Sequence, residues 1–229
     1  MAAMIIDGIE VIISDIDQYL QINDISGSDL SKIWTQIESD YASYEKWICY
    51  HNYNEIPFVL LNEIGAVLED DSIEMRLTAD SFICPEVFGV VRVTEGSFDE
   101  FADYHCKRNP DWMKSEIIRR NFAYWGIFAL LTNNRITDYI LLAMGNPIQA
   151  EIFGVEASDS VKCKDLIAFA AKYAFDSGKK EVLYMADENT IAHEAAISVG
   201  FANTGFYKGY EIKPKHKISG YATWGKNYD

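Results

Sequence analysis

The stretch DENTIAHEAAISVGF, residues 187–201, decides how the second half of the chain is expected to fold. It follows the apolar run EVLYM, residues 181–185, which has the length and apolar content of a buried strand. Within the stretch, five apolar residues recur at helical spacing and predict one face of a helix that ends at Gly200: Ile191, Ala192, Ala195, Ala196 and Val199. The sequence therefore predicts a strand, a polar turn at Asn189, a short helix and a return to strand in GFYKGYEI, residues 205–212.

The same alternation extends upstream to Val90. A strand at 90–93 leads through Ser97, a good helix N-cap with Glu100 three residues later, into one helix, and Pro110 precedes a second. Three strand candidates, 124–131, 137–144 and 150–155, follow as an antiparallel meander joined by polar turns. A helical stripe then ends at Gly178. The predicted order from Val90 is β-α-α-β-β-β-α-β-α-β.

The residues before Phe88 are less regular. A strand over Ile5–Ile13, helical stretches from about Ser28 to Ile48, and extended runs at 56–61 and 65–69 are expected. No catalytic pattern is found there, and no low-complexity segment or fixed-period repeat occurs anywhere in the chain. We therefore expect an α/β (α+β) protein with a mixed, mostly antiparallel, twisted sheet flanked by helices. A smaller N-terminal α/β region, residues 1–88, is predicted to precede a second domain, residues 89–229.

The composition restricts the function classes. Thirty-five acidic residues against 20 basic ones give a formal charge of -15, which disfavours nucleic acid and anionic membranes as partners. This charge would attract an amine-bearing substrate, and it is also a common route to plain solubility. The N-terminus lacks a basic region and is interrupted by acidic residues, so it predicts neither a signal peptide nor a membrane span, and we expect a cytoplasmic protein. Four scattered cysteines predict neither a disulfide framework nor a metal site.

The ordered set of Asn189, Ala192, Gly200 and Phe201 after the predicted strand resembles the GNAT superfamily of acyl-CoA-dependent N-acetyltransferases, over about residues 88–212. The resemblance implies that the fourth and fifth strands, AEIFGV and EVLYM, diverge. Acetyl-CoA would lie between them as co-substrate, with its pantetheine pairing to the strand at Phe153, Gly154 and Val155. The family asparagine corresponds to Asn189 and commonly contacts the cofactor or orders the adjacent turn. An asparagine at such a turn is also simply a good helix cap.

The phosphate-binding loop departs from the family pattern. The family has a glycine-rich loop before the helix, where backbone N–H groups approach the CoA diphosphate. Here the loop is EASDSVKCKDLI, residues 156–167, and no glycine occurs between Gly154 and Gly178. If CoA binds, lysine charge and serine hydroxyls must replace the glycines; alternatively, the Asp-Ser pair caps a helix and the lysines are solvated. The candidate residues of this loop are Ser158, Ser160, Val161, Lys162, Cys163 and Lys164.

The catalytic groups also depart from the pattern. The tyrosine that many family members use as general acid is replaced by Ala196, and Tyr207 and Tyr210 on the following strand are the possible substitutes. For the base, a carboxylate of the fourth strand is needed, and Glu151 is preferred over Glu156, although either can be a solvated edge residue.

Two histidines and an acidic aromatic segment complete the list of candidates. His105 and His193 are weaker candidates for the base because both fall in helical stretches without a recognisable partner. Trp112, Asp111 and Asp103 can form a slot for an amine, or Trp112 can simply fill the core.

Two functions remain open on the sequence. The first is an N-acetyltransferase that acts on a small-molecule or protein amine, and the second is a catalytically degenerate binding or assembly module of the same fold. A homodimer is possible, because the C-terminal segment ISGYATWGKNYD, residues 218–229, reads as a further strand or an interface segment.

Overall fold

Two units make up the computed structural model, which describes residues 2–52, 55–110 and 113–214. The first unit contains the described residues up to Ser72 and those from Gly205 onward, and the second contains Ile73–Thr204. We call them unit 1 and unit 2. The units meet between Ser72 and Ile73 and between Thr204 and Gly205, and not at Phe88, where a domain boundary was predicted.

Unit 1 is a five-stranded sheet with two helices. Its strands pair in the order β1-β2-β3-β4-β11, antiparallel except for the parallel pair β3 and β4. Its core is formed by one face of the sheet and both helices, and includes Ile33, Ile48, Leu61 and Tyr210. The elements are β1 (Ala2–Ile6), β2 (Ile9–Ser14), β3 (Tyr19–Asn23), α1 (Gly27–Asp40), β4 (Glu45–His51), α2 (Phe58–Glu63), the start of β5 (Val67–Thr78) and the end of β11 (Ala202–Ile212).

Several predictions for the first part of the chain were wrong. The single strand expected over Ile5–Ile13 is a hairpin, because Asp7 and Gly8 both adopt positive φ, 49° and 86°, as a tight two-residue turn requires. The predicted helix ends at Asp40, and the residues expected to continue it form β4. The run IPFVLL, expected as extended, largely forms α2.

Unit 2 follows the predicted order from Val90 onward, and the end of β5, from Ile73, precedes that segment. Its strands pair in the order β5-β10-β9-β8-β7-β6, and β9 and β10 are the parallel pair. The expected mixed α/β class and the order β-α-α-β-β-β-α-β-α-β are therefore confirmed. The elements are β6 (Val90–Arg92), α3 (Phe98–Arg108), α4 (Ser115–Arg120), β7 (Trp125–Thr132), β8 (Arg135–Ala143), β9 (Gln149–Glu156), α5 (Ser160–Asp176), β10 (Glu181–Ala186), α6 (Ile191–Val199) and the start of β11.

Local details of unit 2 differ from expectation at the start of α3. Ser97 occupies the N-cap position of this helix, but its side chain does not cap the helix. Its hydroxyl accepts a hydrogen bond from the backbone N–H of Thr94 instead. Glu100, the expected partner in the cap, accepts a hydrogen bond from the backbone N–H of Ile136. The predicted capping box between Ser97 and Glu100 is therefore wrong, although the helix begins where expected.

The two faces of the unit 2 sheet differ in the elements that pack against them. Residues of α5 and α6 form the core against one face, together with Met75, Ile152 and Tyr184. Because successive side chains of a strand alternate between faces, Arg76, Glu151 and Leu183 lie on the other face. The register brings these three side chains into one row, with Leu183 opposite Glu151 on one side and Arg76 on the other.

An internal repeat relates the two halves of the chain. The order β1-β2-β3-α1-β4-α2-β5 matches β7-β8-β9-α5-β10-α6-β11 element for element, with the same antiparallel, antiparallel and parallel pairings. In both halves a short helix is followed by a glycine with positive φ, Gly65 or Gly200. Each half supplies the last strand of the other unit: residues from β11 lie beside β4, and residues from β5 lie beside β10.

The sequence analysis missed this repeat because few residues are identical between the halves. The signal is the spacing: EKWICYHNYNEIPFVLLNEIG, residues 45–65, aligns with EVLYMADENTIAHEAAISVG, residues 181–200, with a difference of one residue in length.

Gly200, at the end of α6, tests how closely the backbone of Ser81 approaches this helix. Its φ is 107°, and a Cβ there would lie 2.1 Å from the carbonyl oxygen of Ser81. Gly178 has a φ of 86° but nothing within 4 Å of the same added atom. Gly178→Ala should cost about 1 kcal/mol for the left-handed backbone alone, and Gly200→Ala should cost at least about 2 kcal/mol more because the backbone of Ser81 must move. Chemical denaturation of both variants measures the difference, and equal losses of stability would contradict the predicted close contact.

Candidate functional site

The strands β9 and β10 separate part of the way along their length. They pair from Gln149–Ile152 on β9 to Glu181–Tyr184 on β10, and the pairing stops there. β9 continues for four more residues, to Glu156, and in the described part of the chain only β8 pairs with that extension. The last residues of β9, after Ile152, therefore have an open edge that faces the gap between the two strands.

A β-bulge at Phe153 accompanies the separation. Gly154 pairs with Leu141 and Ile152 pairs with Leu142, so the register between the two strands shifts by one residue at Phe153. An extra residue of this kind bends its strand and increases the local twist. The Phe153 ring packs edge-on against Trp125, with 5.5 Å between ring centroids. Beyond the bulge, alternate residues direct backbone N–H and C=O groups away from β8. The three residues expected to meet the donor, Phe153, Gly154 and Val155, thus lie along the open edge.

The corresponding strands of unit 1 stay closed. All five residues of β3 pair with β4, from Tyr19 opposite Glu45 to Asn23 opposite Cys49. The contact is extended by two hydrogen bonds, from Asp24 N to Cys49 O at 2.8 Å and from His51 N to Asp24 Oδ1 at 2.6 Å. Among the described residues, the open strand edge at this position therefore occurs in unit 2 and not in unit 1.

Glu151 is the carboxylate closest in sequence to the point of separation. It lies on β9 opposite Leu183, on the sheet face that does not contact α5, and its side chain is partly buried. Burial raises the pKa of Glu151 to about 7. Among the described residues, none donates a hydrogen bond to this carboxylate. A carboxyl group with such a pKa can take up and release a proton near neutral pH, which is the property of a general base.

The N-terminus of α5 is already occupied by carboxylates. Asp159 is the N-cap, and its Oδ1 accepts a hydrogen bond from the backbone N–H of Lys162 at 2.9 Å. One residue earlier, the N–H of Ser158 donates to Asp138 Oδ1 at 2.6 Å. These N–H groups are the ones that a phosphate would use at a helix N-terminus. The Asp-Ser segment therefore caps the helix, as the second of the two sequence interpretations holds.

Lys162 is held by the same carboxylates. Its Nζ lies 3.1 Å from Asp138 Oδ2 and 2.8 Å from Ser158 Oγ, and 4.0 Å from Asp159 Oδ2. Asp138 is fully buried and also accepts a hydrogen bond from Thr137 Oγ1. Burial alone would raise the pKa of Asp138, but the hydrogen bonds from Thr137, Ser158 and Lys162 together lower it. A diphosphate arriving here would meet two carboxylates and a lysine that is already paired, so the residues do not fit this part of acetyl-CoA.

The other loop candidates are distributed between solvent and core. Ser160 and Val161 are exposed in the first turn of α5, and Lys164 is partly buried. Cys163 is buried against the sheet, and burial raises the pKa of its thiol to about 12. Its side chain thus belongs to the core and not to the loop surface. Sequence reasoning missed Asp138; the available signal was a single acidic residue inside the apolar run TDYILLAM.

The turn before α6 is capped differently from expectation. Thr190 is the N-cap, and its Oγ1 accepts a hydrogen bond from His193 N. Asn189 is exposed and adopts a left-handed conformation with a φ of 61°, which asparagine tolerates better than most residues. The capping role considered for Asn189 was therefore wrong, whereas a contact with a donor stays a prediction.

Both histidines have structural partners that the sequence did not reveal. His193 Nδ1 accepts from Asn189 N, and its Nε2 lies 3.3 Å from Asn203 Oδ1. His105 donates from Nε2 to Met113 O at 2.6 Å and lies 2.7 Å from the Tyr139 hydroxyl through Nδ1. Burial lowers the pKa of His105. Both nitrogens of each imidazole are engaged by other groups, which makes the two histidines poor catalytic bases.

The remaining candidates belong to unit 1, to the core or the surface of unit 2, or to residues outside the described ranges. Tyr207 and Tyr210 belong to unit 1, where the Tyr207 hydroxyl donates to Cys49 Sγ and Tyr210 packs edge-on against Tyr50. Ala196 is fully buried in the core of unit 2. Asp103 is exposed on α3, and Asp111 and Trp112 lie outside the described residues. Within the described ranges no three His, Cys, Asp or Glu side chains are grouped as metal ligands, and no helix is long and apolar enough to cross a membrane.

The sequence matches no protein-family model and no curated protein. The fold, in contrast, is similar to that of solved GNAT structures. A GCN5-related N-acetyltransferase from Kribbella flavida is 12% identical with a TM-score of 0.65, over 95% of this chain and 91% of that one. One from Sphaerobacter thermophilus is 14% identical with a TM-score of 0.59, over 91% and 77%.

A third similar structure is Saccharomyces cerevisiae N-myristoyltransferase with bound myristoyl-CoA, which is 10% identical with a TM-score of 0.57, over 90% of this chain and 62% of that one. At these identities the likeness concerns the fold, and the chain has the GNAT fold.

The raised pKa of Glu151 makes stability depend on pH. The folded state holds the proton up to about pH 7, whereas an unfolded glutamate releases it near 4.5. The free energy of unfolding therefore falls as pH rises from 4.5 to about 7. Above about pH 7 the full cost of the buried, ionised carboxylate is present. Glu151→Gln should remove that cost, and the variant should gain about 1–3 kcal/mol relative to the natural chain at pH 8 and little at pH 4.5. Denaturant titrations at both pH values measure this, and a gain independent of pH would show that the carboxyl is not strained by burial.

The carboxylates at α5 should weaken any CoA binding. Asp138→Asn with Asp159→Asn keeps both hydrogen-bond acceptors, since asparagine is also a good N-cap, but removes two negative charges and releases Lys162. The double variant should bind CoA at least about tenfold more tightly at low salt. Asp176→Asn, at the far end of α5, is the control for loss of charge. Calorimetry measures the affinities for CoA. An affinity of the double variant equal to that of the natural chain would mean that CoA does not approach this helix.

Proposed function

We propose that unit 2 is an acyl-CoA-dependent N-acyltransferase that transfers acetyl from acetyl-CoA to an amine of a small molecule or protein. The observation that carries the proposal is the separation of β9 and β10 beyond Ile152 and Tyr184, with a carboxyl group of pKa about 7 on β9 at the point of separation. The GNAT fold supports acyl transfer in general.

Glu151 would act as the base for the acceptor. An alkyl ammonium has a pKa near 10.4 and is almost entirely protonated at neutral pH, so a proton must leave before nitrogen can attack a thioester carbonyl. The Glu151 carboxylate accepts this proton directly or through one water. Its raised pKa strengthens it as a base, while a useful fraction stays ionised near pH 7.

The residues of unit 2 suit the pantetheine part of acetyl-CoA better than its diphosphate. The open edge of β9 beyond the bulge suits an extended, amide-bearing pantetheine, because among the described residues only β8 pairs with that segment and the side facing β10 is not paired with a strand. The N-terminus of α5 does not suit the diphosphate, because Asp138 and Asp159 already accept its N–H groups. We therefore expect weak affinity for the nucleotide part, and specificity that depends on the pantetheine and acyl parts.

The position of the family tyrosine that protonates the leaving thiolate holds buried Ala196. Removal of the amine proton should therefore dominate the pH dependence of the rate, more than protonation of the leaving group.

A second function is favoured by the carboxylates at α5. The N-cap Asp159 accepts the N–H of Lys162, and Asp138 accepts the N–H of Ser158 just before the helix, so two aspartates compete with a bound anion at this end of α5. This supports a catalytically degenerate binding or assembly module with the GNAT fold. The two functions differ in one observable: the enzyme binds and turns over acetyl-CoA, and the module does neither.

Calorimetry with acetyl-CoA and CoA, followed by an acetylation assay against a panel of primary amines, tests the proposal. Glu151→Gln should lower the rate about 100-fold at pH 7, recover partly as pH rises, and leave donor affinity unchanged. Glu156→Gln, on the same strand, is the matched control and should keep most of its rate. No binding at millimolar donor would favour the module, and a full rate in Glu151→Gln between pH 6 and 9 would exclude this base.

The partners follow from the charge. We propose an amine-bearing acceptor and expect no nucleic acid or membrane partner, because the chain carries a formal charge of -15. A cytoplasmic location and a homodimer stay predictions.

A further inference from the structure

The gap between β9 and β10 ends at the starts of two helices. Because these two strands are parallel, α5 and α6 begin at the same end of the sheet, beyond the open edge of β9. A thioester arm that pairs along this edge reaches the helix starts with its far end. The residues at the helix starts therefore decide which group can follow the arm.

Two aspartates place negative charge at the start of α5. Asp138 on β8 is fully buried and accepts hydrogen bonds from Ser158 N and Thr137 Oγ1, each at 2.6 Å. The N-cap Asp159 accepts a hydrogen bond from Lys162 N at 2.9 Å. Because both carboxylates accept backbone N–H groups, neither can move away without disturbing the start of the helix. An anion that arrives here meets two carboxylates whose positions are fixed.

The segments around the two helix starts are negative as a whole. In residues 156–164 and 187–190, together with Asp138, five carboxylates are present against two lysines. The Nζ of Lys162 lies 3.1 Å from Asp138 Oδ2 and 2.8 Å from Ser158 Oγ, so a diphosphate would have to compete for this lysine. The five carboxylates are Asp138, Glu156, Asp159, Asp187 and Glu188, and the second lysine is Lys164.

Apolar side chains are exposed where the two helices begin. Val161, in the first turn of α5, is 67% exposed, and Ile191, the first residue of α6, is 51% exposed. Sites for phosphate groups place cations or hydrogen-bond donors at such positions. Apolar side chains instead suit the far end of a pantetheine arm, which carries two methyl groups and a hydroxyl when no phosphate follows it.

We propose that unit 2 recognises its donor through the thioester arm alone, and that an acyl-pantetheine without a nucleotide is a better donor than acetyl-CoA. The arm pairs with the open edge of β9, and its dimethyl end lies against Val161 and Ile191. The same arm occurs free and, as a phosphodiester, on carrier proteins. The carboxylates of Asp138 and Asp159 favour the free, uncharged arm over both phosphorylated forms.

The inference rests on the proposed acyl transfer and leaves its chemistry unchanged. The acyl carbon forms a bond to the amine nitrogen, and its bond to sulfur breaks. The proton that Glu151 accepts from the acceptor balances the proton that the leaving thiolate takes up, so the products are an amide and pantetheine as its thiol.

Calorimetric titration of the full chain at low salt compares pantetheine, 4′-phosphopantetheine and CoA. Pantetheine should bind about tenfold more tightly than CoA, with 4′-phosphopantetheine between them, because each added phosphate meets the fixed carboxylates with little screening. Affinity for CoA or 4′-phosphopantetheine equal to or above that for pantetheine would overturn the inference, and so would the absence of pantetheine binding at millimolar concentration.

Turnover distinguishes this inference from the proposed function. With the same primary amines, kcat/KM for S-acetylpantetheine should exceed that for acetyl-CoA by about tenfold at low salt. A higher kcat/KM for acetyl-CoA would confirm acyl transfer and overturn the preference for the free arm. Tighter binding of pantetheine than of CoA without turnover of either acetyl donor would contradict acyl transfer and leave the recognition of the arm intact.

A matched pair of variants tests where the far end of the donor lies. Val161→Lys adds a cation at an exposed position of the first turn of α5, and it should tighten CoA about tenfold while it leaves pantetheine unchanged. Ile197→Lys makes the same change at an exposed position far along α6, and it should alter neither affinity. CoA affinity that is unchanged in Val161→Lys, or that rises equally in both variants, would overturn the placement of the donor beside α5.

Discussion

One extra residue in β9 is the constraint on which the open edge of unit 2 depends. The register with β8 shifts by one residue at Phe153, an extra residue of the kind that bends a strand, and the pairing of β9 with β10 ends just before it, at Ile152 and Tyr184. Backbone N–H and C=O groups after the bulge are left for another partner, since such groups are costly to leave unpaired. The equivalent strands of unit 1 show the alternative. Without a bulge, every residue of β3 pairs with β4, and the same topology presents no edge.

Charge at the start of α5 then decides which ligands that edge can hold. Asp138 and Asp159 accept the N–H groups that would otherwise bind a phosphate, and Lys162 compensates them. This local network is satisfied by itself, which stabilises the loop and disfavours a competing anion. The same unit therefore combines a geometry suited to an extended donor with electrostatics opposed to its diphosphate. The two proposed functions differ in which of these two properties dominates.

The repeat shows how one topology carries different chemistry in its two copies. Rows of side chains at equivalent positions read Glu151, Leu183 and Arg76 in unit 2, and Gln21, Trp47 and Glu211 in unit 1. The first row contains its own cation, and the second contains a buried carboxylate and an aromatic ring. Each copy also completes its sheet with a strand from the other half of the chain, so the halves cannot be separated without leaving both sheets incomplete.

The sequence by itself determined the order of elements from Val90, the mixed sheet, and the position of Glu151 on the strand β9. These features follow from apolar periodicity and glycine placement, which are local properties of the sequence. It failed where identical local signals serve two structures: IPFVLL reads as a strand but forms α2, and the Asp7-Gly8 turn divides one apolar run into a hairpin. Only the tertiary structure decided that Asp138 accepts the N–H of Ser158 beside the start of α5, that Thr190 and not Asn189 caps α6, and that the Glu211 carboxylate is buried. These facts depend on strand register and on contacts between residues distant in sequence, which no local pattern records.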